Sequence, residues 1–253
     1  MASFLITGAS RGLGLAFVQE LASLPPSKVS KVIAATRTDS PALNDLTKAS
    51  SGRVVPVILD VASEASIKAA AAKVESTLGG DGLDVLINNA GVCHYVSDGV
   101  KSMDTLQHDL TTNVMGVHWV TQAFLPILQK GKMKKVVNIT TTLGSITLAQ
   151  QMAVYACPAY KISKAAMNAL TVQWALDYEK EGFTFVAVSP GWLKTDLGGG
   201  DMADLTPEQG AKATLDIVFN RGRELNGKFP KIYIEGWESA GYGHVYDGSN
   251  APW

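Results

Sequence analysis

The chain has 253 residues, which is enough for one large α/β domain or two small ones. A hydrophobic content of 46% allows a sizeable core, and a net charge of −1 with scattered Lys and Arg argues against nucleic-acid binding. The sequence has no apolar run near the ~20 residues that span a membrane, and its start leaves no room for a signal peptide. The histidines and cysteines share no metal-ligand spacing, so we predict no metal site. We therefore expect a cytoplasmic protein without nucleic-acid or membrane partners.

The first predicted strand, residues 3–6, runs directly into a glycine-rich turn at residues 7–14. Helical periodicity follows until Pro25 and Pro26, and a strand, a glycine turn and a helix are the context of a dinucleotide-binding turn. Gly8 would permit the tight turn, Gly12 would let the backbone approach a pyrophosphate, and Gly14 would let the helix pack closely on the sheet. The spacing is G-x-x-x-G-x-G rather than the commoner G-x-G-x-x-G. A glycine cluster alone is often only a loop, but the flanking elements favour phosphate binding.

The second predicted strand, residues 32–36, ends at Arg37. An NAD enzyme would place Asp or Glu near this position to bind the ribose 2′-hydroxyl. Here the residue is an arginine, and Arg11 lies within the glycine turn. Because guanidinium groups suit a phosphate, we predict NADP(H) rather than NAD(H), the alternative being that each arginine is merely exposed.

Five further strands are predicted, at residues 56–59, 83–87, 136–139, 183–188 and 231–234. Strands alternating with helices predict a Rossmann-like, doubly wound α/β fold in which helices flank a seven-stranded parallel sheet. Residues 1–253 would form a single domain.

Polar side chains follow several of these strands. Asp60 would contact the adenine region of the cofactor or form a turn at the strand end. Asn88 and Asn89 would shape the cofactor crevice or make an ordinary turn. We also predict Ser63 as the N-cap of a helix reaching about residue 78, and Thr206 as the N-cap of the last helix.

Tyr160 and Lys164 lie four residues apart at the start of a predicted helix that runs to about residue 180. This spacing places both side chains on one face of the helix. A neighbouring ammonium lowers the pKa of a phenol, which could then pass a proton to a carbonyl oxygen near neutral pH. Taken alone the motif is weak, because an exposed helix edge can carry it by chance.

Two loops are candidates for binding a substrate. Hydroxyl groups in residues 140–145 could hold a carbonyl group at the end of a strand. Residues 192–206 contain three consecutive glycines and form a candidate mobile lid. Trp192 and Met202 of that loop would line the substrate pocket or simply pack within the loop.

Together these motifs resemble the short-chain dehydrogenase/reductase family over almost the whole chain. The resemblance rests on residues 7–14, 88–91, Asn113, residues 138–145, residues 160–164, and Pro190 with Gly191. The segments 190–196 and 246–253 are similar to those of the sniffer-type or C-factor-like carbonyl reductases. Relative to that subgroup, residues 237–245 form an insertion before the usual tail.

The resemblance implies roles for several residues. Tyr160 would be the general acid in carbonyl reduction and the general base in alcohol oxidation. Lys164 would lower the pKa of Tyr160 and bind the nicotinamide ribose, and Asn113 would hold a water that links Lys164 to solvent. The implied cofactor-binding residues are Gly8, Ser10, Arg11, Gly12, Leu13, Gly14, Arg37, Asp60, Val61, Asn89, Ala90, Gly91, Tyr160, Lys164, Pro190, Gly191, Leu193 and Thr195.

One position departs from the family pattern. The serine that orients the substrate carbonyl aligns with Thr141, whose hydroxyl can donate the same hydrogen bond. The additional methyl group restricts the side chain and crowds the pocket. Ser145 is the alternative candidate for this role.

The function that the resemblance implies is NADPH-dependent reduction of a ketone or aldehyde, with a hydrophobic or aromatic substrate. A pathway-specific ketoreductase of natural-product biosynthesis is a second possibility. A third is a cofactor-binding protein with a non-redox or regulatory role, which the threonine at position 141 motivates. The resemblance also implies a homodimer or homotetramer paired through the helices that carry Asn113 and Tyr160.

Overall fold

The computed structural model describes residues 1–239 and 244–253. Six parallel strands form one sheet in the order β3-β2-β1-β4-β5-β6. The strands are β1 (Ala2–Thr7), β2 (Val29–Thr36), β3 (Val54–Ile58), β4 (Val85–Asn88), β5 (Lys135–Ile139) and β6 (Thr184–Val188). The order reverses between β1 and β4, so a crevice opens at the carboxyl ends of these two strands.

Helices cover both faces of the sheet. They are α1 (Gly12–Ser23), α2 (Pro41–Ala49), α3 (Glu64–Leu78), α4 (Leu106–Leu110), α5 (Gly116–Lys130), α6 (Pro158–Asp177) and α7 (Pro207–Asn220). Two apolar clusters result, one beneath α1 and α7 and the other beneath α3, α5 and α6. In β1, Phe4 and Ile6 belong to the first cluster and Leu5 to the second, as the alternation of side chains along a strand requires. None of the helices described is both long enough and apolar enough to cross a bilayer.

The expected seventh strand at residues 231–234 is wrong, and the sheet has six strands. The segment makes isolated bridges, one from Lys231 to Ser189 and one from Tyr233 to Asp247 in the C-terminal tail. Pro230 precedes it and has no N–H group, so this residue cannot donate a hydrogen bond to a ladder. The segment therefore acts as a tie between the end of β6 and the tail.

The predicted helix caps are confirmed. The Ser63 side chain accepts a hydrogen bond from the Ser66 N–H, and Thr206 forms a reciprocal capping box with Gln209. The helix of Tyr160 ends at Asp177, three residues before the expected end. Asn113 lies in a single π-helical turn, Thr111–Met115, between α4 and α5, and such turns often occur at functional sites.

Candidate active site

A cleft of about 720 Å³ lies at the carboxyl ends of the strands. Every residue that the sequence implied for cofactor binding lines this cleft. Of the other predicted site residues, Thr141 and Trp192 line it, whereas Asn113, Ser145 and Met202 are not among its lining residues. Of the three residues suggested for substrate contact, Trp192 therefore lines the cleft, and Ser145 and Met202 lie away from its lining.

The glycine turn lines one side of the cleft. Gly8 has a φ of +68°, and a Cβ atom at Gly14 would lie 2.2 Å from the Gly8 carbonyl oxygen, so neither position suits a side chain. The N-cap of α1 is Arg11, which provides no side-chain cap, and the first turn of the helix contains no acidic residue. The N–H groups of this turn are therefore suited to bind an anion.

The two arginines of the cleft differ in their surroundings. The Arg11 guanidinium forms an ion pair with Asp196 of the 192–206 loop, and both side chains are 74% exposed. Arg37 lines the cleft, and in the described part of the chain no carboxylate forms an ion pair with it. Arg37 is therefore the better placed of the two to bind an additional phosphate group.

Asp60 and Asn89 make contacts typical of strand ends. The Asp60 carboxylate accepts a hydrogen bond from the Ala62 N–H at 3.0 Å, as a turn-forming residue does. The Asn89 side chain donates to the Thr7 carbonyl at 2.9 Å, and the Thr7 hydroxyl accepts from the Asn89 and Ala90 N–H groups at 3.0 Å each. These bonds fix the loop after β4 against the glycine turn.

Asn88 lies deeper and joins the strands to the helices. Its amide donates to Asn138 at 2.8 Å and to Thr121 at 3.1 Å, and Asn138 donates in turn to Thr171 at 2.8 Å. All four side chains are buried, and each of these donors has a partner. The network connects β4 and β5 to each other and to α5 and α6 below the cleft.

Tyr160 and Lys164 are buried side by side in the first turns of α6, with only 7% and 4% of their surface exposed. The Lys164 Nζ atom lies 5.7 Å from the centre of the Tyr160 ring. It also donates to the Ile139 carbonyl at 2.7 Å, which ties the helix to the end of β5. Both residues line the cleft, so the phenol and the ammonium face the same space.

Burial dominates the protonation of this pair in the protein without cofactor, and the predicted effect of Lys164 on the pKa of Tyr160 stays a prediction. Burial raises the pKa of the Tyr160 phenol well above its usual value, and neighbouring Cys93 and Cys157 add to the increase. Burial also lowers the pKa of Lys164 to about 8, which weakens the positive charge that the prediction relied on. Loss of water around both groups therefore disfavours the charged form of each.

Asn113 is fully buried and joins two parts of the site. Its Oδ1 atom accepts from the Val92 N–H at 2.9 Å, and its Nδ2 atom donates to the Val92 carbonyl and to the Ser163 hydroxyl at 2.9 Å each. These bonds fix the loop after β4 against α6 at Ser163, which lies three residues after Tyr160. The side-chain amide is thus engaged with protein groups.

Thr141 and Ser145 occupy different environments. Thr141 lines the cleft, and its hydroxyl oxygen accepts a hydrogen bond from the Leu143 N–H at 3.2 Å, which leaves the hydroxyl hydrogen for another partner. Ser145 is 2% exposed, and its hydroxyl oxygen accepts from the Leu148 N–H at 3.2 Å. Of the two, Thr141 is the one in reach of a substrate in the cleft.

The two ends of the 192–206 loop are hydrogen-bonded to each other. The Lys194 N–H donates to the Leu205 carbonyl at 2.8 Å, and the Leu205 N–H donates to the Trp192 carbonyl at 3.0 Å. Thr195 lies over the glycine turn, since a Cβ atom at Gly12 would be 3.1 Å from its methyl group. Met202 is 73% exposed on the outer part of the loop, which is why it does not line the cleft.

Sequence reasoning missed a group of polar aromatic residues at the wall of the cleft: Tyr155, His244 and Tyr246 line it, and Asp204 bonds to the latter two. They come from three separate loops, so no periodicity or spacing in the sequence connects them. Residues 237–245, interpreted above as an insertion, supply His244, and residues 240–243 of that segment lie outside the described part of the chain.

Three potential metal ligands also meet near the cleft, although their spacing in the sequence did not indicate it. Ligand atoms of His94, His108 and Asp109 lie within 4.8 Å of one another. However, His94 Nδ1 is only 2.6 Å from Asp109 Oδ1. Two ligand atoms bound to one Zn²⁺ at ~2.0–2.2 Å would be separated by roughly 3 Å or more. The contact is therefore a hydrogen bond that satisfies one oxygen of a buried carboxylate.

The sequence matches a known family over most of its length. The sequence model described as short chain dehydrogenase matches residues 3–205. The short-chain dehydrogenase/reductase AacuF of Aspergillus aculeatus is 37% identical over 260 residues, covering 90% of this chain and 95% of that protein.

Two solved structures are similar over the whole chain. The NADPH-bound carbonyl reductase from chicken fatty liver has a TM-score of 0.86 and 33% identity, covering 100% of this chain and 99% of that one. The carbonyl reductase Sniffer of D. melanogaster has a TM-score of 0.86 and 29% identity, covering 100% of both chains. With its glycine turn, its paired Tyr160 and Lys164, and these matches, the chain belongs to the short-chain dehydrogenase/reductase family of oxidoreductases.

Proposed function

We propose that this protein is an NADPH-dependent carbonyl reductase that converts a ketone or aldehyde to an alcohol. The proposal rests on the burial of Tyr160 beside Lys164 in a cleft that also contains the glycine turn and Arg37. A proton donor and a dinucleotide-binding surface thus share one cavity. The similarity to carbonyl reductases, one of them with NADPH bound, supports the same reaction.

The residues of the cleft fit a dinucleotide. The uncapped first turn of α1 would bind the pyrophosphate, and the absence of side chains at Gly8 and Gly14 leaves the turn compact. Arg37 would bind the 2′-phosphate, while Lys164 would bind the nicotinamide ribose hydroxyls. When bound, NADPH supplies the hydride for the reduction.

The remaining steps belong to the protein. The Tyr160 phenol faces the cleft beside Lys164 and would serve as the proton donor to a substrate oxygen. Thr141 would donate a second hydrogen bond to that oxygen. Asn113 would act as a positioning residue, since its three hydrogen bonds join the loop after β4 to α6. Through the water that the family resemblance implies, Lys164 would exchange protons with solvent.

The test of this function is NADPH consumption at 340 nm with aromatic aldehydes, diketones and quinones. We expect turnover by the wild-type protein and a loss of at least roughly 100-fold in Tyr160→Phe, which removes the proton donor. The Tyr233→Phe variant is a matched control, because Tyr233 is exposed and bonds to Glu238 outside the cleft. NADPH binding without turnover of any carbonyl compound would instead favour a cofactor-binding protein without redox activity.

The cofactor preference has a separate test. Arg37→Asp should weaken NADPH binding by roughly tenfold or more, because it removes a charge-assisted hydrogen bond to phosphate and adds repulsion. NADH binding should change little, so the ratio of the two dissociation constants is the measured quantity. Arg223→Asp, a change at an exposed arginine outside the cleft, is the control. An unchanged ratio in Arg37→Asp would contradict the assignment of Arg37.

We also propose that the protein forms a homodimer or homotetramer through the helices that carry Asn113 and Tyr160. Exposed apolar side chains on these helices, Met115, Ile162 and Leu176, support this assembly. Light scattering should then give a mass of two or four chains of 26.8 kDa each.

A further inference from the structure

A chain of hydrogen bonds joins three loops at the wall of the cleft. Asp204, at the end of the 192–206 loop, accepts from His244 Nδ1 at 2.8 Å. The other ring nitrogen of His244, Nε2, lies 2.6 Å from the hydroxyl oxygen of Tyr155, in the loop before α6. The same Asp204 oxygen accepts from the Tyr246 hydroxyl at 2.5 Å. The chain runs from a carboxylate to a phenol that lines the cavity.

Asp204 fixes the hydrogen on His244 Nδ1, and in the neutral ring this also fixes the hydrogen of Tyr155. The carboxylate oxygen of Asp204 can only accept, so His244 Nδ1 must carry its hydrogen. In the neutral imidazole, Nε2 then has none and acts as an acceptor. In that state of the ring, the hydroxyl of Tyr155 donates to Nε2. Burial raises the pKa of Tyr155, and the Asp204 charge adds to this, so the phenol keeps the hydrogen that it donates.

This arrangement determines what Tyr155 offers to a bound molecule. Its hydrogen is used within the protein, so its oxygen has only lone pairs left for a further partner. Around that oxygen the wall is aromatic, with the Trp192 ring 5.8 Å from the Tyr155 ring and 4.9 Å from the His244 ring. A hydrogen-bond acceptor among aromatic side chains suits an aromatic molecule that carries a hydroxyl group.

We propose that Tyr155 recognises substrate by accepting a hydrogen bond from a hydroxyl group on an aromatic ketone or aldehyde. His244 and Asp204 are positioning residues that keep Tyr155 in the acceptor state. The proposal rests on the proposed carbonyl reduction and narrows its substrates to hydroxylated aromatic carbonyl compounds. The 192–206 loop and the tail are already joined by two other hydrogen bonds. One runs from the Tyr246 hydroxyl to Asp204, and the other runs from the Trp192 N–H to the Tyr246 oxygen at 3.1 Å.

The experiment compares three ligands that differ in one group: acetophenone, its hydroxy derivative and its methoxy derivative, substituted at ring position 3 or 4. Dissociation constants are measured by calorimetry on the protein with NADP⁺, which cannot reduce them. Turnover is measured separately with NADPH. Wild-type protein should bind the better hydroxy isomer roughly fivefold to tenfold more tightly than its methoxy counterpart, the amount expected for one hydrogen bond.

Two variants separate recognition from structure. Tyr155→Phe should abolish the preference for the hydroxy ligand. His244→Phe should reduce it, because Tyr155 is then free to donate its hydrogen to the methoxy oxygen and can still accept from the hydroxy ligand. Tyr233→Phe, outside the cleft, should keep the wild-type ratio.

If Tyr155 and His244 have only a structural role, the variants should bind all three ligands more weakly and keep the wild-type ratio of hydroxy to methoxy dissociation constants. That result would overturn the proposal. A wild-type protein without a preference for the hydroxy ligand would also overturn it. A clear binding preference without NADPH turnover would support this inference and refute the proposed function. NADPH turnover without the binding preference would support the proposed function and refute this inference.

Discussion

Thr141 stands where the family resemblance implies serine, and its hydroxyl hydrogen remains available to a substrate in the cleft. We predict that Thr141→Ala lowers kcat for a carbonyl substrate by roughly tenfold to 100-fold, because one hydrogen bond to the developing negative charge is lost. Thr141→Ser should retain activity, since it keeps the hydroxyl and removes only the methyl group.

The control for this prediction is Ser145→Ala, which alters a buried hydroxyl outside the cleft. Steady-state kinetics with one aldehyde and saturating NADPH measures all three variants. If Thr141→Ala keeps the wild-type kcat while Ser145→Ala loses it, the assignment is wrong.

The buried ammonium of Lys164 makes the stability of the protein depend on pH. Burial lowers its pKa from 10.5 to about 8 in the folded state. Between these two values the unfolded chain binds more protons than the folded chain, so the free energy of unfolding rises as the pH rises. Below that range both states are charged, and the unfavourable burial of the charge is fully present.

Urea unfolding of the cofactor-free protein between pH 7.5 and 9.5 tests this sign. The wild type should gain stability across the range, and Lys164→Met should gain less because the titrating group is absent. Part of the gain should persist in the variant, since burial also lowers the pKa of Lys135. Tyr160 opposes the trend only above about pH 10, where the unfolded phenol ionises first. Equal slopes for the two proteins would contradict the role assigned to Lys164.

Single residues were predictable from the sequence wherever a backbone motif determined their position. Gly8, Gly14, Tyr160 and Lys164 belong to local motifs whose geometry follows from a turn or a helix. Tyr155 and His244 could not be predicted in this way, because they meet only after three loops fold around the cleft. The pKa of Tyr160 was also out of reach, since it depends on burial, which the spacing of two residues does not reveal.

At the scale of elements, helix ends were predictable and the edge of the sheet was not. Ser63 and Thr206 cap helices through contacts within three residues, so the sequence contains the whole interaction. The segment after Pro230 has the composition of a strand, but its pairing depends on the C-terminal tail, where Tyr233 pairs with Asp247, and on a missing N–H group. The hydrophobic pattern of the sequence reflects side-chain burial, and it does not show that a backbone N–H group is missing.

The capping box of α7 gives a prediction at this scale. Thr206→Ala should lower the free energy of unfolding by about 1 kcal/mol, because it removes the side-chain acceptor for the Gln209 N–H. Thr206→Ser should change it by less than about half of that amount, since serine caps equally well. Urea unfolding at constant pH measures both. A loss of equal size in the two variants would show that the methyl group, and not the cap, stabilises this end of the lid.

For the molecule as a whole, the order of the strands explains why these parts meet. The glycine turn follows β1 and the Asn89 loop follows β4, and the two strands are neighbours where the order of the sheet reverses. The half of the cleft that we propose for the cofactor is therefore formed by strand ends, and its lining residues were predictable. The half that we propose for the substrate is formed by loops and the C-terminal tail, whose contacts are long-range in sequence.

In the proposed reaction, hydride passes from NADPH to a carbonyl carbon in this cleft. It is tested most directly with NADPH deuterated at C4, in separate 4R and 4S preparations, and an aromatic aldehyde. We predict that one of the two preparations yields an alcohol with a single deuterium on the carbinol carbon, and that Tyr160→Phe yields almost none. NADPH oxidation that leaves no deuterium in the alcohol, or an alcohol formed equally well by Tyr160→Phe, would contradict the account.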